Sequence, residues 1–175
     1  MAKKEANLLV TFDPTHQVSA LQEIQDLTKE AKDKASVISA EKGLAEVSVG
    51  DARKVVKVLS AVSKKNMDKF SHTLHWIPID MWCKATVQEM QKEIAKMAKD
   101  IKQNEKWKMD LKVRRVKQKP DEIKLVLKLT EVVDRQKVDL DNPDKVIKAE
   151  IIGNRAGLAL LEKGELLNIA KLKQK

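Results

Sequence analysis

The amino-acid sequence predicts a mixed α+β fold in two parts. Short apolar runs and alternating segments predict strands, and longer segments with the 3.6-residue period predict helices. Both kinds of segment occur on each side of a division near residue 80. Hydrophobic residues make up 42% of the 175 residues, and aromatic residues only 3%, so the core is expected to be aliphatic and filled with methionine. We therefore expect a domain at 1–79, a second domain at 80–162 and a basic C-terminal tail at 163–175.

The first domain shows the order β-α-β-β-α-β. Asp13-Pro14 ends the first strand, Gly43 lies in a hairpin-like turn, and the Asp51 side chain can cap the second helix. The elements are a strand at 7–12, a helix at 16–32, strands at 35–40 and 44–49, a helix after Asp51 and a strand at 73–79. This order is the split β-α-β, or ferredoxin-like, arrangement.

The second domain opens on the clearest helix start in the chain, because Thr86 and Glu89 have the spacing of a capping box. Strict alternation over 107–117 predicts a strand with apolar side chains on one face and charged ones on the other. Pro120 fits the first turn of the next helix. That helix has apolar residues on both flanks, which predicts burial between a sheet and another element. The last predicted strands are 145–152 and 155–161, joined around Gly153-Asn154.

The net charge of +9 is unevenly distributed. Residues 1–79 carry 12 Lys and Arg against 10 Asp and Glu, whereas residues 80–175 carry 23 against 16. A basic second half indicates a polyanion partner, with RNA or DNA first. The alternative is a Lys- and Glu-rich surface of the kind that thermophile proteins carry.

Targeting signals and disulfides are not expected. The sequence has no run of about eighteen apolar residues, which a membrane span requires. Its start lacks the apolar segment of a signal peptide. A single cysteine, Cys83, cannot form an internal disulfide. A cytoplasmic location is the expectation.

Few residues indicate a reaction centre. Two histidines three apart on a strand, His72 and His75, face opposite sides, so with Cys83 they cannot form a closed zinc site. Nothing indicates a base that would activate Cys83 as a nucleophile. An acidic cluster could suggest Mg²⁺, but aspartate is also a common turn residue; its members are Asp139, Asp141 and Asp144.

The five glycines are scattered, so no glycine-rich phosphate loop is predicted. This argues against ATP, a dinucleotide or acetyl-coenzyme A as a cofactor of this chain, and no cofactor or metal is expected. A small enzyme that uses Cys83 or the aspartates remains an alternative hypothesis.

The stretch from Val138 to Ile152 is the most informative part of the chain. An Asp-Asn-Pro-Asp turn follows Val-Asp-Leu and leads into a β-branched strand. This combination resembles the C-terminal signature of the THUMP domain, an RNA-binding module of tRNA-modification systems. Further segments resemble the same family: Asn7–Thr11, Ile77-Pro78-Ile79, Cys83-Lys84-Ala85, Asp121-Glu122-Ile123, and Lys112-Val113-Arg114-Arg115, in which Arg115 replaces the usual Asn.

The resemblance is to the small stand-alone members of the family that assist acetylation of cytidine in tRNA. It implies a non-catalytic adaptor that binds the acceptor end and 3′ end of tRNA, while a separate acetyltransferase performs the chemistry. The chain ends about where the THUMP motif ends, so no catalytic domain is expected. The alternative is a general binder of structured RNA, either tRNA or rRNA, that serves a different modification enzyme.

The charged face of the 107–117 strand is the best candidate for RNA contact, because Arg can fork onto a phosphate and Lys offers a mobile charge. Lys84 lies before a helix N-terminus, which also favours anions. The alternative for both is a solvated surface. Shape and end recognition are expected rather than base stacking. The predicted RNA-binding residues are Lys84, Lys112, Arg114, Arg115, Lys117 and Lys119, joined by Arg135, Lys137, Lys145 and Arg155 if the turns meet in space.

Overall fold

A computed structural model describes residues 5–174 and contains nine strands and five α-helices within that range. In chain order they are β1 (Leu8–Phe12), α1 (Gln17–Glu30), β2 (Ser36–Glu41), β3 (Leu44–Ser48), α2 (Ala52–Lys65), β4 (Thr73–Pro78), β5 (Met81–Lys84), α3 (Val87–Ala98), β6 (Trp107–Arg114), α4 (Glu122–Thr130), β7 (Lys145–Ile152), β8 (Arg155–Glu162), β9 (Leu167–Asn168) and α5 (Ile169–Lys173). The chain divides into two compact units, and each is described separately. The predicted α+β fold class is confirmed.

The first unit contains the described residues up to Ile79 and those from Gly164 onward. Its antiparallel sheet has the order β2-β3-β1-β4-β9, so β1 lies between β3 and β4 as the split β-α-β arrangement requires. Helices α1 and α2 contribute Ile24 and Leu59 to the core, and both side chains are fully buried. The predicted cap of α2 is confirmed, because the Asp51 side chain accepts a hydrogen bond from the Lys54 N–H at 3.1 Å.

The segment predicted as a basic tail contributes to the first unit. Leu167 and Asn168 pair with Trp76 and His75, which adds β9 to the edge of β4. Leu167 and Ile169 are buried in the first core. Two apolar side chains in this position explain why the segment packs against the unit despite its terminal lysines.

The second unit, residues 80–163, has the sheet order β5-β8-β7-β6. Strands β6 and β7 run parallel, and the other pairs are antiparallel. Helices α3 and α4 contribute Met90, Ile94 and Leu129 to a core on one face of this sheet. The predicted alternation of β6 is confirmed, since its apolar residues from Trp107 to Val113 are buried and Asp110 and Lys112 are exposed.

Four details of the second unit differ from the sequence-based expectation. Residues Met81–Lys84 form an unpredicted strand, because four residues are too few to show a period. Strand β6 ends at Arg114, since Arg115 takes a left-handed φ of 58°. Pro120 lies outside α4, whose cap is Asp121. The predicted burial of α4 on both flanks is wrong: Leu129 alone is buried among its residues.

Within the described residues, no helix has the length and apolar character that crossing a membrane requires.

Candidate nucleic-acid interface

Three basic residues stand in one row across an end of the second sheet. Arg114 ends β6 and is paired with Ile152, Ile152 is paired with Arg155, and Arg155 is paired with Lys84. Paired residues project from the same face of a sheet, so Arg114, Arg155 and Lys84 all lie on one face of the second sheet. Three strand spacings of about 4.8 Å separate the outer two residues, a span of about 14 Å. We call this row, with the adjoining Arg115, the basic end.

The β7–β8 hairpin fixes the position of the basic end. Gly153 adopts a φ of 63°, and its N–H donates to the Arg114 carbonyl at 2.9 Å. On the other side of the turn, the Asn154 carbonyl accepts from the Ala85 N–H at 3.0 Å. The hairpin is therefore tied both to the end of β6 and to the residue that leads into α3. These main-chain bonds hold Arg114 and Lys84 in fixed positions relative to Arg155.

Arg114 is anchored by a buried carboxylate. Its Nε donates to Glu150 Oε2 at 3.2 Å, and the Glu150 side chain is 1% exposed. Lys148, also buried, approaches Glu150 Oε1 at 3.0 Å and Asp110 Oδ2 at 3.4 Å. About a quarter of the Arg114 side chain stays exposed (26%), so this arginine is held by Glu150 and is still partly accessible to solvent.

Trp82 is a contributor that the sequence reasoning missed. The Arg155 guanidinium carbon lies 4.6 Å from the centre of the Trp82 ring, which is a cation–π contact. Trp82 is paired with Gly157, so no side chain opposes the ring across the strands. Had β5 been recognised as a strand, its alternation would have put Trp82 and Lys84 on one face.

The N-terminus of α3 adds a partial positive charge at the same end. The Thr86 side chain caps α3 by accepting from the Glu89 N–H at 3.2 Å, as the sequence predicted. Lys84 is exposed two residues before this cap. The first N–H groups of a helix favour anions, so Lys84 and the helix terminus both attract negative charge.

The structure divides the predicted RNA-binding residues into two groups. Lys112 precedes Arg114 on the same face of β6, and Lys117 and Lys119 are exposed in the loop that leaves the basic end. These three join Lys84, Arg114, Arg115 and Arg155. Along the chain, Lys112 lies two residues before the end of β6, and Lys117 and Lys119 lie three and five residues after it.

The other three predicted residues do not converge on the basic end. Lys145 begins β7, seven residues or about 23 Å from Ile152, and its Nζ lies 2.8 Å from Glu162 Oε1. The Arg135 guanidinium donates to the main-chain carbonyls of Ile101 and Asp134. Lys137 is exposed beside Trp107, at the start of β6. For these three, the hypothesis that the turns meet is wrong, because the strand length separates them from the basic end.

The surroundings of the residues considered for catalysis indicate structural roles. Burial, followed by the nearby Glu93 and Glu89 carboxylates, raises the pKa of Cys83, which favours the unreactive thiol. The Asp139 carboxylate accepts from the N–H groups of Asn142 and Asp141 at 3.0 Å, and these bonds lower its pKa. Asp144 Oδ2 accepts from the Lys106 N–H at 2.9 Å. Asp139 and Asp144 therefore act as turn residues. Across residues 5–174, no three His, Cys, Asp or Glu side chains are grouped to hold a metal ion.

Residues 84–161 match the family model of the THUMP domain. The chain therefore contains a THUMP domain, and its predicted resemblance to that domain is confirmed. The match begins at Lys84 and includes Arg114, Arg115 and Arg155, so the whole basic end lies within it.

Similar solved structures are longer proteins with the same fold. PH1313 from Pyrococcus horikoshii is 19% identical with a TM-score of 0.59, over 89% of this chain and 54% of that protein. TrmN from Thermus thermophilus is 14% identical with a TM-score of 0.55, and the match covers 87% of this chain and 44% of TrmN. A possible methylase from Clostridium difficile is 11% identical with a TM-score of 0.57, and the match covers 90% of this chain and 41% of the methylase. The chain thus spans about half the length of these proteins or less. A search of curated proteins gives no match.

Proposed function

We propose that this chain is a non-catalytic tRNA-binding protein that recognises the acceptor end of tRNA and presents the tRNA to a separate cytidine acetyltransferase. One observation carries the proposal. Within the THUMP domain, Lys84, Arg114 and Arg155 form a row beside the N-terminus of α3. A row of cations next to a helix N-terminus suits the phosphates of a nucleic-acid backbone.

The anchoring of the two arginines supports phosphate binding. Arg114 is held by Glu150, and Arg155 lies on the Trp82 ring. A side chain that is already held loses less conformational freedom when it binds a ligand. Arg can then offer a forked pair of donors to a phosphate, whereas the exposed Lys84 contributes a mobile charge.

The surroundings of Trp82 favour recognition of RNA shape and of the RNA end. Arg155 lies over the ring, so that face of the indole is occupied and does not offer a stacking platform for a base. Main-chain donors at the α3 N-terminus and cationic side chains contact the backbone without reading base sequence. A protein that binds the ends of many different tRNAs needs contacts of this kind, which do not depend on base sequence.

The surroundings of the residues considered for catalysis support the adaptor role. Cys83 has a raised pKa, and Asp139 and Asp144 hold the turn before β7. None of these groups is arranged as a nucleophile or a general base, which supports a role in binding the tRNA while a second protein performs the modification. We propose the acetyltransferase as that protein because of the resemblance to stand-alone THUMP adaptors.

Binding is tested by gel shift with total tRNA across a salt series, comparing intact tRNA with tRNA that lacks its single-stranded 3′ end. We expect trimming to weaken binding, and Arg114→Ala plus Arg155→Ala to lower both the affinity and the salt slope, by about 0.7–0.9 per lost phosphate contact. Lys137→Ala is the matched control, since it removes an exposed cation far from the basic end. Equal effects of the control and the double variant would contradict the proposed site. Equal affinity for both RNAs would favour the general structured-RNA binder.

The adaptor role is tested separately. A tRNA cytidine acetyltransferase is incubated with labelled acetyl donor and tRNA, with and without this protein. We expect the protein to raise incorporation of acetyl groups, and the Arg114→Ala plus Arg155→Ala variant to fail. If acetylation is unchanged while tRNA binding is intact, the partner belongs to a different modification reaction.

A further inference from the structure

The Arg155 side chain reaches diagonally from β8 to the Trp82 ring on β5. Arg155 is paired with Lys84, and Trp82 lies two residues earlier on the same strand as Lys84. A long side chain spans the distance between such diagonal neighbours. The residue paired with Trp82 is Gly157, which has no side chain that would compete for the space over the ring. The register of β5 against β8 therefore brings the Arg155 guanidinium carbon to 4.6 Å from the ring centre.

A guanidinium group offers two kinds of contact, one at its edge and one at its faces. Its five N–H donors lie in the plane of the group, so phosphate oxygens bind at the edge. Its two faces carry no donors and stack on flat π-systems. A guanidinium that lies over a ring has a second face, which points away from that ring. Arg155 lies over Trp82 and is itself exposed, so it can bind a phosphate at its edge and a second flat ring at its outer face.

Arg155 differs in this respect from the other two cations of the row. The Nε of Arg114 donates to the buried Glu150 carboxylate, so this arginine is held through its edge. Lys84 carries a compact ammonium group, which has no planar face. Of the three residues, Arg155 is the one in which an aromatic ring supports a planar cation. This arrangement suits stacking, whereas the other two residues suit charge neutralisation.

The place of Arg155 within the row indicates a nucleotide as the ligand. One strand spacing of about 4.8 Å separates Arg155 from Lys84, and two spacings separate it from Arg114. Cations on both sides of Arg155 suit the phosphates that precede and follow one nucleotide. The base between two such phosphates then lies next to the planar cation, and bases are known to stack on guanidinium planes.

We propose that Arg155, supported by Trp82, forms a stacking subsite for one unpaired nucleobase of a bound RNA. Bases inside a duplex cover one another's faces, so the ligand is a base that is not paired. Stacking accepts any base, because every base has a flat π-face. The guanidinium of Arg155 touches the base, and Trp82 is a positioning residue that holds the guanidinium in place. The subsite rests on the proposed RNA-binding function and adds a contact to the base, which the row of cations alone does not provide.

The test compares two forms of a short RNA duplex with a single-stranded 3′ overhang. The overhang consists of adenosines in one form and of abasic ribose units in the other, so both forms carry the same phosphates. We expect the full-length protein to bind the adenosine form about tenfold more tightly, which is the order of one stacked base. This preference should stay constant across a salt series, because removal of a base leaves the number of released counterions unchanged.

Matched variants separate the planar face of Arg155 from its charge. Arg155→Lys keeps the charge and removes the plane, so we expect the preference for adenosine to be lost. Arg114→Lys is the control: the same substitution at the other arginine of the row weakens binding of both RNAs and leaves the preference unchanged. Trp82→Leu removes the support of the guanidinium and should reduce the preference, while hydrogen exchange of the β8 amides shows that the fold is intact.

The outcomes distinguish the stacking subsite from the proposed function on which it rests. Equal binding of the two RNAs, with a steep salt dependence, would overturn the subsite and leave the RNA-binding function standing. Binding of neither RNA would overturn the RNA-binding function and the subsite with it. A preference for adenosine that survives Arg155→Lys, or that is lost to the same extent in Arg114→Lys, would assign the base to another position and would also overturn the subsite.

Discussion

Replacing Glu150 tests whether the buried charges of the second unit serve stability, RNA binding or both. Glu150 compensates Lys148 at 3.0 Å and Arg114 at 3.2 Å, and both Glu150 and Lys148 are buried. In Glu150→Met, Lys148 keeps only Asp110, which is 48% exposed and screened by water. At an effective dielectric constant of about 20, the lost attraction at this distance is about 5 kcal/mol. Removing one partner of a buried pair costs about 3–5 kcal/mol in practice.

We therefore expect Glu150→Met to lower the free energy of unfolding of the second unit by about 3–5 kcal/mol. Native-state hydrogen exchange of the β7 and β8 amides measures this unit independently of the first. Adding Lys148→Met removes the uncompensated ammonium and restores most of the stability, since replacing both members of a buried pair with apolar residues is often neutral.

The double variant separates stability from binding. Arg114 lacks its Glu150 partner both in Glu150→Met and in Glu150→Met plus Lys148→Met. We therefore expect the affinity for tRNA to stay below that of the wild type, even where the second substitution restores stability. Asp110→Asn is the control, and it costs less than about 1 kcal/mol because this carboxylate is exposed. A cost below about 1 kcal/mol for Glu150→Met, or normal tRNA binding by the double variant, would refute the reasoning.

Three further predictions concern other parts of the chain. Gly43→Ala places a Cβ 2.6 Å from the Phe12 carbonyl oxygen at a φ of +80°, so we expect a loss of about 1–3 kcal/mol in urea unfolding; an unchanged midpoint would contradict this. Burial opposes ionisation of Asp33, but main-chain N–H donors of Gly50, Asp51 and Lys34 hold its pKa below the usual value. Its stabilisation is thus complete above the unfolded-state pKa and is lost as pH falls through the folded-state pKa; the difference in unfolding free energy between wild type and Asp33→Asn should shrink on acidification, and a constant difference would argue otherwise. Cys83→Ser should leave tRNA binding unchanged, and a loss of binding with the fold intact would reopen a functional role for the thiol.

The sequence predicted the elements whose signals are local. The caps at Asp51 and Thr86 depend on one side chain and an N–H three residues away, and both are present. The alternation of β6 needs only a half-buried face, and it is confirmed. Strand β5 was missed because its four residues gain their strand character from pairing with β8, which is distant in sequence.

The membership of the basic end depends on long-range pairing. Arg114, Arg155 and Lys84 belong to three different strands, and their row follows from the strand order and register. Charge and a motif can predict each of these residues as an RNA-binding residue, but they predict Lys145 equally well. The register alone distinguishes them, because it fixes the end of the sheet at which each residue lies.

The Val138–Ile152 signature lies far from the basic end, but it influences the position of Arg114 through the register of β6 against β7. The Asp144 carboxylate and main-chain N–H both bond to Lys106, at 2.9 and 2.7 Å, and the Asp139 N–H bonds to the Trp107 carbonyl. These contacts fix the start of β6 against the start of β7. A slip of one residue would turn every side chain of β6 to the opposite face and would bury Arg114 in the core. The turn therefore helps to fix, one strand length away, the position of Arg114 in the row with Arg155, which explains how a motif that lies far from the proposed RNA-binding residues can mark the domain that carries them.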